Sequence, residues 1–303
     1  MMFNSDDMAW FAGLLDAEGC FGLRRHTKRP TQVLASTHCG LVDKSAVEHA
    51  KAIAEQLYGK RLTLHRRLVS SDIGTRPFWF FQMSTKKPLH GFVQQILPYL
   101  RVKRGEALLQ CAFLDRAAAR RHIGDNADFA LCALSQKMKH EGGVTEIEVT
   151  SLVADRFAHA GNQLAWLGGY TDGDGSISTC DGTSYLSYSC VNRQELSRAN
   201  DLIAAVTERP ALPISVLRNK EKPESRDQYR VQVQDQTRLS RLLPAIRPYL
   251  RVKDLQASAV MAMFSVVRDE RVDLEAAVKL LNHDSDRTVV EMLSKRDRAA
   301  MGI

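Results

Sequence analysis

Cysteine is scarce and scattered: Cys20, Cys39, Cys111, Cys132, Cys180 and Cys190 include no C-x-x-C pair. A chain of 303 residues has interior enough to fold without disulfide staples, so the six are expected to be reduced thiols used in packing. A zinc site built from Cys and His would need its ligands grouped in pairs. His38 beside Cys39 is the nearest approach, and that spacing speaks against zinc. Long apolar runs are missing too, with no uncharged apolar window of about 18 residues. The N-terminal MMFNSDDMAW lacks a basic stretch followed by an apolar one, so a soluble, intracellular protein is expected. Proline is sparse at nine residues, and 44% hydrophobic content argues for a folded body rather than disorder.

Acid is in modest deficit, with 35 Asp and Glu against 42 Lys and Arg. A net charge of +7 suits a polyanionic partner without requiring one. More telling is that the chain repeats itself. LPYLRVKRGEALL (97–109) returns as RPYLRVKDLQASA (247–259), with PYLRVK identical. Upstream, FAGLLDAEG (11–19) pairs with LGGYTDGDG (167–175), and LVDKSAVEHAKAIAEQL (41–57) pairs with CVNRQELSRANDLIAAV (190–206) as an amphipathic helix. The offset is 156 residues at the first anchor and 149 to 150 later, which implies a loop about seven residues shorter in the second copy. The chain is a tandem duplication: a first domain over 1–122, a connection over 123–161 that matches nothing in the other copy, and a second domain over 162–303 ending in two short amphipathic helices. The second of these has its start signal near Asp284 and Ser285.

Within the first copy, periodicity predicts a helix over 6–17, strands over 20–28 and 31–39, a helix over 43–57, strands over 61–68 and 77–84, and helices over 87–97 and 101–120. The second copy follows the same order. In YRVQVQDQ (229–236), Tyr229, Val231 and Val233 share one face while Arg230, Gln232 and Gln234 share the other. Leu62 and Leu64 likewise oppose Arg61, Thr63, His65 and Arg67, and Phe21 and Leu23 oppose Arg24, His26 and Lys28. A solvated face normally mixes Lys with Glu. These faces carry Arg, Gln, His and Lys with almost no acid, which favours a ligand-binding surface.

The acid-small-acid-Gly motif is no calcium loop. With Asp174 and Gly175 at loop positions 5 and 6, Tyr170 falls where the first carboxylate belongs; in the other copy Leu14 takes that place and Arg25 the last. Each motif instead ends an apolar helix containing glycine, which costs roughly 1 kcal/mol inside a helix. Close approach of two backbones explains that cost, so the two motif helices are expected to pack on each other and bring Glu18 and Asp174 together. Two carboxylates at helix C-termini, if uncompensated, hold a proton or recruit a cation. Mg²⁺, which takes oxygen ligands and completes its shell with substrate phosphates, is the natural choice, and phosphodiester hydrolysis the matching chemistry.

FAGLLDAEG and LGGYTDGDG, each followed at matching distance by PYLRVK, resemble the paired signatures of single-chain LAGLIDADG homing endonucleases over nearly the whole chain. The resemblance implies an α+β fold of two pseudo-symmetric αββαββα domains, with saddle-shaped antiparallel sheets astride the DNA major groove and a two-helix interface. It implies a monomeric, often intron-encoded, Mg²⁺-dependent enzyme that cuts both strands across the minor groove and leaves short 3′ overhangs at a long, imperfectly palindromic target. Carried onto this chain, it makes Glu18 and Asp174 the catalytic metal ligands, Asp16 and Asp172 supporting residues, and Lys103 and Lys253 cations near the reacting phosphate. A polar residue beside the metals on the second strand is also implied, with Ser36, His38, Ser187 and Ser189 as candidates. Arg24, Arg67, Arg230, Gln232 and Gln234 are the expected base contacts. The alternative readings are an RNA maturase, whose partner is intron RNA, and a DNA-binding relative that no longer cuts.

Overall fold

Asn4 starts the first helix. Its side chain accepts the N–H groups of Asp6 and Asp7 while the Asp7 carboxylate accepts the Asn4 N–H, a capping box that satisfies donors at the helix start. In the computed structural model, which describes residues 3–71, 74–119, 125–141, 149, 158–218, 227–265, 272–283, 298–299 and 301–302, this helix is α1 (Ser5–Glu18). It is followed by β1 (Cys20–His26), β2 (Arg29–Leu41), α2 (Lys44–Tyr58), β3 (His65–Ser71), β4 (Gly74–Met83), α3 (Lys86–Ile96), a 3₁₀ turn at Leu97–Tyr99, α4 (Arg104–Ala119) and α5 (Asn126–Glu141). The order then repeats as α6 (Gln163–Asp174), β5 (Gly175–Cys180), β6 (Thr183–Cys190), α7 (Arg193–Thr207), β7 (Ser215–Leu217), β8 (Gln228–Val233), α8 (Gln236–Ile246), a 3₁₀ turn at Arg247–Tyr249, α9 (Asp254–Met263) and α10 (Val272–His283). The chain divides into two compact units, Met1–Asn162 and Gln163–Ile303.

Each unit is α+β and holds one four-stranded antiparallel sheet, in the orders β1-β2-β4-β3 and β5-β6-β8-β7. Alternation along the strands decides which face is covered. Phe21, Leu23, Val33, Ala35, Cys39, Phe81 and Met83 are buried beneath the helices of the first unit, as are Ile177, Leu186, Tyr188, Val231 and Val233 in the second. The amphipathic helices supply the other half of each core, through Val47, Ile53, Leu89, Phe92 and Val93 in one unit and Leu196, Ile203, Leu239 and Leu242 in the other.

Four details depart from the sequence expectation. Six of the seven residues missing from the second copy come out of strand length, because both hairpins close with two-residue turns. In the second, Asp181 (φ 50°) and Gly182 (φ 77°) take the left-handed backbone a tight type I′ turn needs, so β6 is 8 residues long where β2 is 13. The turn of the first hairpin holds Lys28, which is thus off the strand, and follows a register shift between Arg25 and His26. The strand expected over 61–68 begins only at His65, since the Glu55 carboxylate accepts the Leu62 N–H at 2.6 Å and keeps residues 61–64 irregular. Gln234 similarly lies beyond the end of β8.

The segment after α4 matches no sequence in the other copy, and α5 packs against α4 and β1 as α10 packs against α9 and β5. Each donates a side-chain amide to an edge strand: Gln136 to the Leu23 carbonyl at 2.6 Å and Asn282 to the Ile177 carbonyl at 2.9 Å. Covering a sheet edge suppresses pairing with other chains, and different sequences can do that equally well. The helix start expected near Asp284 and Ser285 lies outside the described residues.

Candidate active site

In both units the motif helix runs into its first strand through one glycine. A Cβ on Gly19 would stand 2.5 Å from the Leu15 carbonyl oxygen, and one on Gly175 2.7 Å from that of Thr171. Gly19 itself is extended (φ −78°, ψ 166°), so the requirement is space rather than backbone freedom. This tight exit places Glu18 and Asp174, both partly exposed, at the last position of their helices and directly before the sheets.

The penultimate acids behave differently. Asp16 and Asp172 are each only 1% exposed. Asp16 accepts the N–H groups of Arg101 (2.8 Å) and Lys103 (2.7 Å); Asp172 accepts those of Arg251 (2.8 Å), Val252 (3.1 Å) and Lys253 (3.0 Å). These donors are the backbone of the two RVK segments, which explains why PYLRVK recurs: the residues after its 3₁₀ turn aim their amides at a buried carboxylate. Charge-assisted bonds of this kind contribute about 1.5–3 kcal/mol each.

The same segments deliver the lysines. The Lys103 ammonium donates to the carbonyls of Leu15 (3.2 Å), Ala17 (2.7 Å) and Gly19 (2.8 Å), and that of Lys253 to Thr171 (2.7 Å), Asp172 (2.6 Å) and Gly173 (3.2 Å). An ammonium has three N–H donors and here directs them at the carbonyls of a helix C-terminus, where a cation is most favourable. Each motif helix thus carries its own cation on its C-terminal carbonyls, a partner absent from the sequence expectation. Beneath Glu18 lies Cys39, whose thiol is pushed up to about 12 by burial and the Glu18 charge, against the opposing pull of Lys103. The second unit has Tyr188 there, its phenol raised by burial and by Asp172 while a 2.7 Å hydrogen bond to the Thr171 hydroxyl acts the other way.

Of the four second-strand polar candidates, register singles out His38 and Ser187. His38 stands between Cys20 and Gln82, Ser187 between Ser176 and Gln232, and both rows begin one residue past the motif glycine. Ser36 pairs with Gly22 and Ser189 with Arg230, farther along the strands. Gln82 was overlooked in the sequence, although the 150-residue offset of the PYLRVK anchors aligns it with Gln232. His38 is exposed while its neighbour Cys39 is buried, so the two point to opposite faces and form no ligand pair.

The uncovered sheet faces contain no acid among the described strand residues. Arg24 is exposed on the first. There Arg67 also lies over the rings of Phe78 (4.6 Å) and Phe80 (5.7 Å), and His65 stacks on Phe80 at 5.2 Å. On the second, Arg230 and Gln232 are half-buried, with Arg230 Nε 3.5 Å from the Ser189 hydroxyl. Among the described residues no helix is long and apolar enough to cross a membrane.

No protein-family model and no curated protein matches the chain. Among solved structures it is similar to I-SmaMI bound to uncleaved DNA target in the presence of calcium ions, with 12% identity, 99% of this chain and 98% of that one covered, and a TM-score of 0.53. It is similar too to the I-SmaMI LAGLIDADG homing endonuclease bound to cleaved DNA (14% identity, 99% and 96% covered, TM-score 0.53). A third likeness is to the LAGLIDADG meganuclease I-AabMI bound to uncleaved DNA (14% identity, 97% and 98% covered, TM-score 0.55). At such identity the likeness is one of fold: end to end, this chain has the fold of the single-chain LAGLIDADG meganucleases.

Proposed function

We propose that this chain is a site-specific double-strand DNA endonuclease of the homing type, acting as a monomer on a long, imperfectly palindromic target. The observation that carries the proposal is the duplicated half-site. Twice, one motif acid is locked away by backbone amides, a lysine neutralises the helix end, and the other acid is left at the start of an acid-free sheet face. A merely structural motif would need only the locked acid. DNA-bound relatives of the same fold support the choice of substrate.

The donors fit a hard divalent cation. Glu18 and Asp174 offer only carboxylate oxygens, whereas Asp16 and Asp172 spend theirs on amides. Glu18 and Asp174 would hold Mg²⁺. When bound, the ion supplies an activated water and offsets charge on the scissile phosphate. Asp16 and Asp172 fix the helix ends so that the acids keep their aim. Lys103 and Lys253 hold the same ends and add positive charge beside them, where a phosphate gathering negative charge is stabilised. His38 and Ser187 are the second-strand residues placed to orient solvent. The outer strand faces read the target: Arg24, Arg67 and Arg230 suit guanine, and Gln232 suits adenine.

A cleavage-inactive DNA-binding relative would keep the strand faces, and a maturase would bind structured intron RNA. Incubating the protein with a randomised plasmid library, first in Ca²⁺ and then in Mg²⁺, separates the three. The endonuclease yields paired breaks with short 3′ overhangs at one enriched sequence only in Mg²⁺. RNA binding unaffected by Glu18→Gln and Asp174→Asn, without DNA breaks, supports the maturase instead.

A further inference from the structure

Away from the motif helices, the packing of α3 on α4 gathers donors that the sequence spacing scattered. His90 and Gln94 lie one turn apart on α3, and Cys111 and Asp115 one turn apart on α4, so each pair shares a helix face. His90 Nε2 is 2.9 Å from Asp115 Oδ1 and 3.0 Å from the Gln94 side-chain amide. The donor atoms of His90, Cys111 and Asp115 all lie within 4.8 Å of one another, which makes this the one such group among the described residues. Cys111 forms the floor at 4% exposure, while the side chains of His90 and Asp115 are 21% and 36% exposed, leaving an entry path from solvent.

We propose that His90, Cys111 and Asp115 form a zinc site that clips α3 to α4 in the first unit. One imidazole nitrogen, one thiolate and one carboxylate oxygen make the borderline-soft donor set that zinc takes in tetrahedral geometry, with metal–ligand distances of roughly 2.0–2.3 Å. A tetrahedron of that size holds its donors about 3.5 Å apart, so small side-chain rotations close the gap. Water, or the Gln94 amide oxygen once the amide is turned over, supplies the fourth ligand. Binding displaces the Cys111 thiol proton to solvent. The 150-residue offset puts Ser240, Met261 and Ser265 at the corresponding places of the second unit. That unit builds the same helix pair without the cluster, so the fold does not require these three residues. The site is independent of the proposed nuclease centre, whose oxygen-only donors select a harder ion.

The test is cobalt substitution. The full chain is stripped with EDTA, dialysed against Co²⁺ and read by absorption, with circular dichroism to verify folding. The expected result is one Co²⁺ per chain showing a thiolate-to-metal charge-transfer band and the intense visible bands of tetrahedral cobalt. The charge-transfer band disappears in Cys111→Ser, and His90→Gln and Asp115→Asn, at more exposed positions, weaken Co²⁺ affinity about tenfold or more. All bands survive in the Glu18→Gln, Asp174→Asn double variant, which separates this site from the nuclease reading. A folded wild-type chain without the charge-transfer band, or a band that persists in folded Cys111→Ser, overturns the proposal.

Discussion

The two halves agree where they handle an acid and differ where they would handle a base. Buried Asp16 and Asp172, capping Lys103 and Lys253, and steric glycines Gly19 and Gly175 recur position for position. Apart from Gln82 and Gln232, the outer sheet faces do not recur: the first has long strands carrying His65, Arg67, Phe78 and Phe80, and the second short strands carrying Ser215, Gln228 and Arg230. A helix end that must present one carboxylate admits few solutions, whereas a strand face that reads sequence is free to diverge. On the proposed reading, the halves would share one chemistry and face unlike half-targets.

The largest expected effect breaks the agreement itself. Glu18→Gln or Asp174→Asn lowers double-strand cleavage by about a thousandfold or more, with DNA affinity in Ca²⁺ unchanged. A plasmid cleavage assay beside a gel-shift titration reads both, and a variant that loses binding along with cutting contradicts the assigned role. Next come the locked acids. Asp16→Ala and Asp172→Ala leave RVK amides unpaired and each costs about 2–4 kcal/mol in urea unfolding. Equal losses in the two variants confirm that the halves are built alike.

Smaller again is the steric demand at the helix exits. Gly19→Ala and Gly175→Ala each force a methyl group to within 3 Å of a carbonyl oxygen and destabilise by about 1–3 kcal/mol, readable as a lower Tm. Smallest is an alkaline effect in the first half. The Cys39 thiol stays protonated in the folded chain up to about 12 but ionises near 9.0 once unfolded, so its contribution is intact below 9.0 and lost between those values. By pH 10 stability falls by about 1 kcal/mol from this group, and Cys39→Ala removes that slope while lowering stability throughout. Tyr188 acts in the same direction in the second half.

Repetition made most of the fold legible. PYLRVK and the paired motifs fixed the order of elements, and alternation in YRVQVQDQ gave the buried Val231 and Val233. What stayed hidden depends on partners distant in sequence. Nothing around Lys103 announces that its ammonium will cap a helix ending 85 residues earlier, and the matching positions of α5 and α10 follow from a shared sheet edge rather than shared residues. His38 could be told from Ser36 only by register, because the two share one strand face and a two-residue shift would exchange them. Gly168, like the other glycines of the motif helices, is expected to serve contact between those helices. Within its own unit, its missing Cβ makes room for Tyr249, whose Cβ would lie 2.7 Å away, a contact visible only once the 3₁₀ turn is placed.

On the proposed reading, the duplicated half-site cuts DNA. Selection of a bound sequence in Ca²⁺, followed by addition of Mg²⁺ and sequencing of the released ends, tests it most directly. Breaks in both strands at the selected sequence with short 3′ overhangs are expected, absent when Glu18 or Asp174 is neutralised. Tight, selective binding that never yields a break in Mg²⁺ would contradict it.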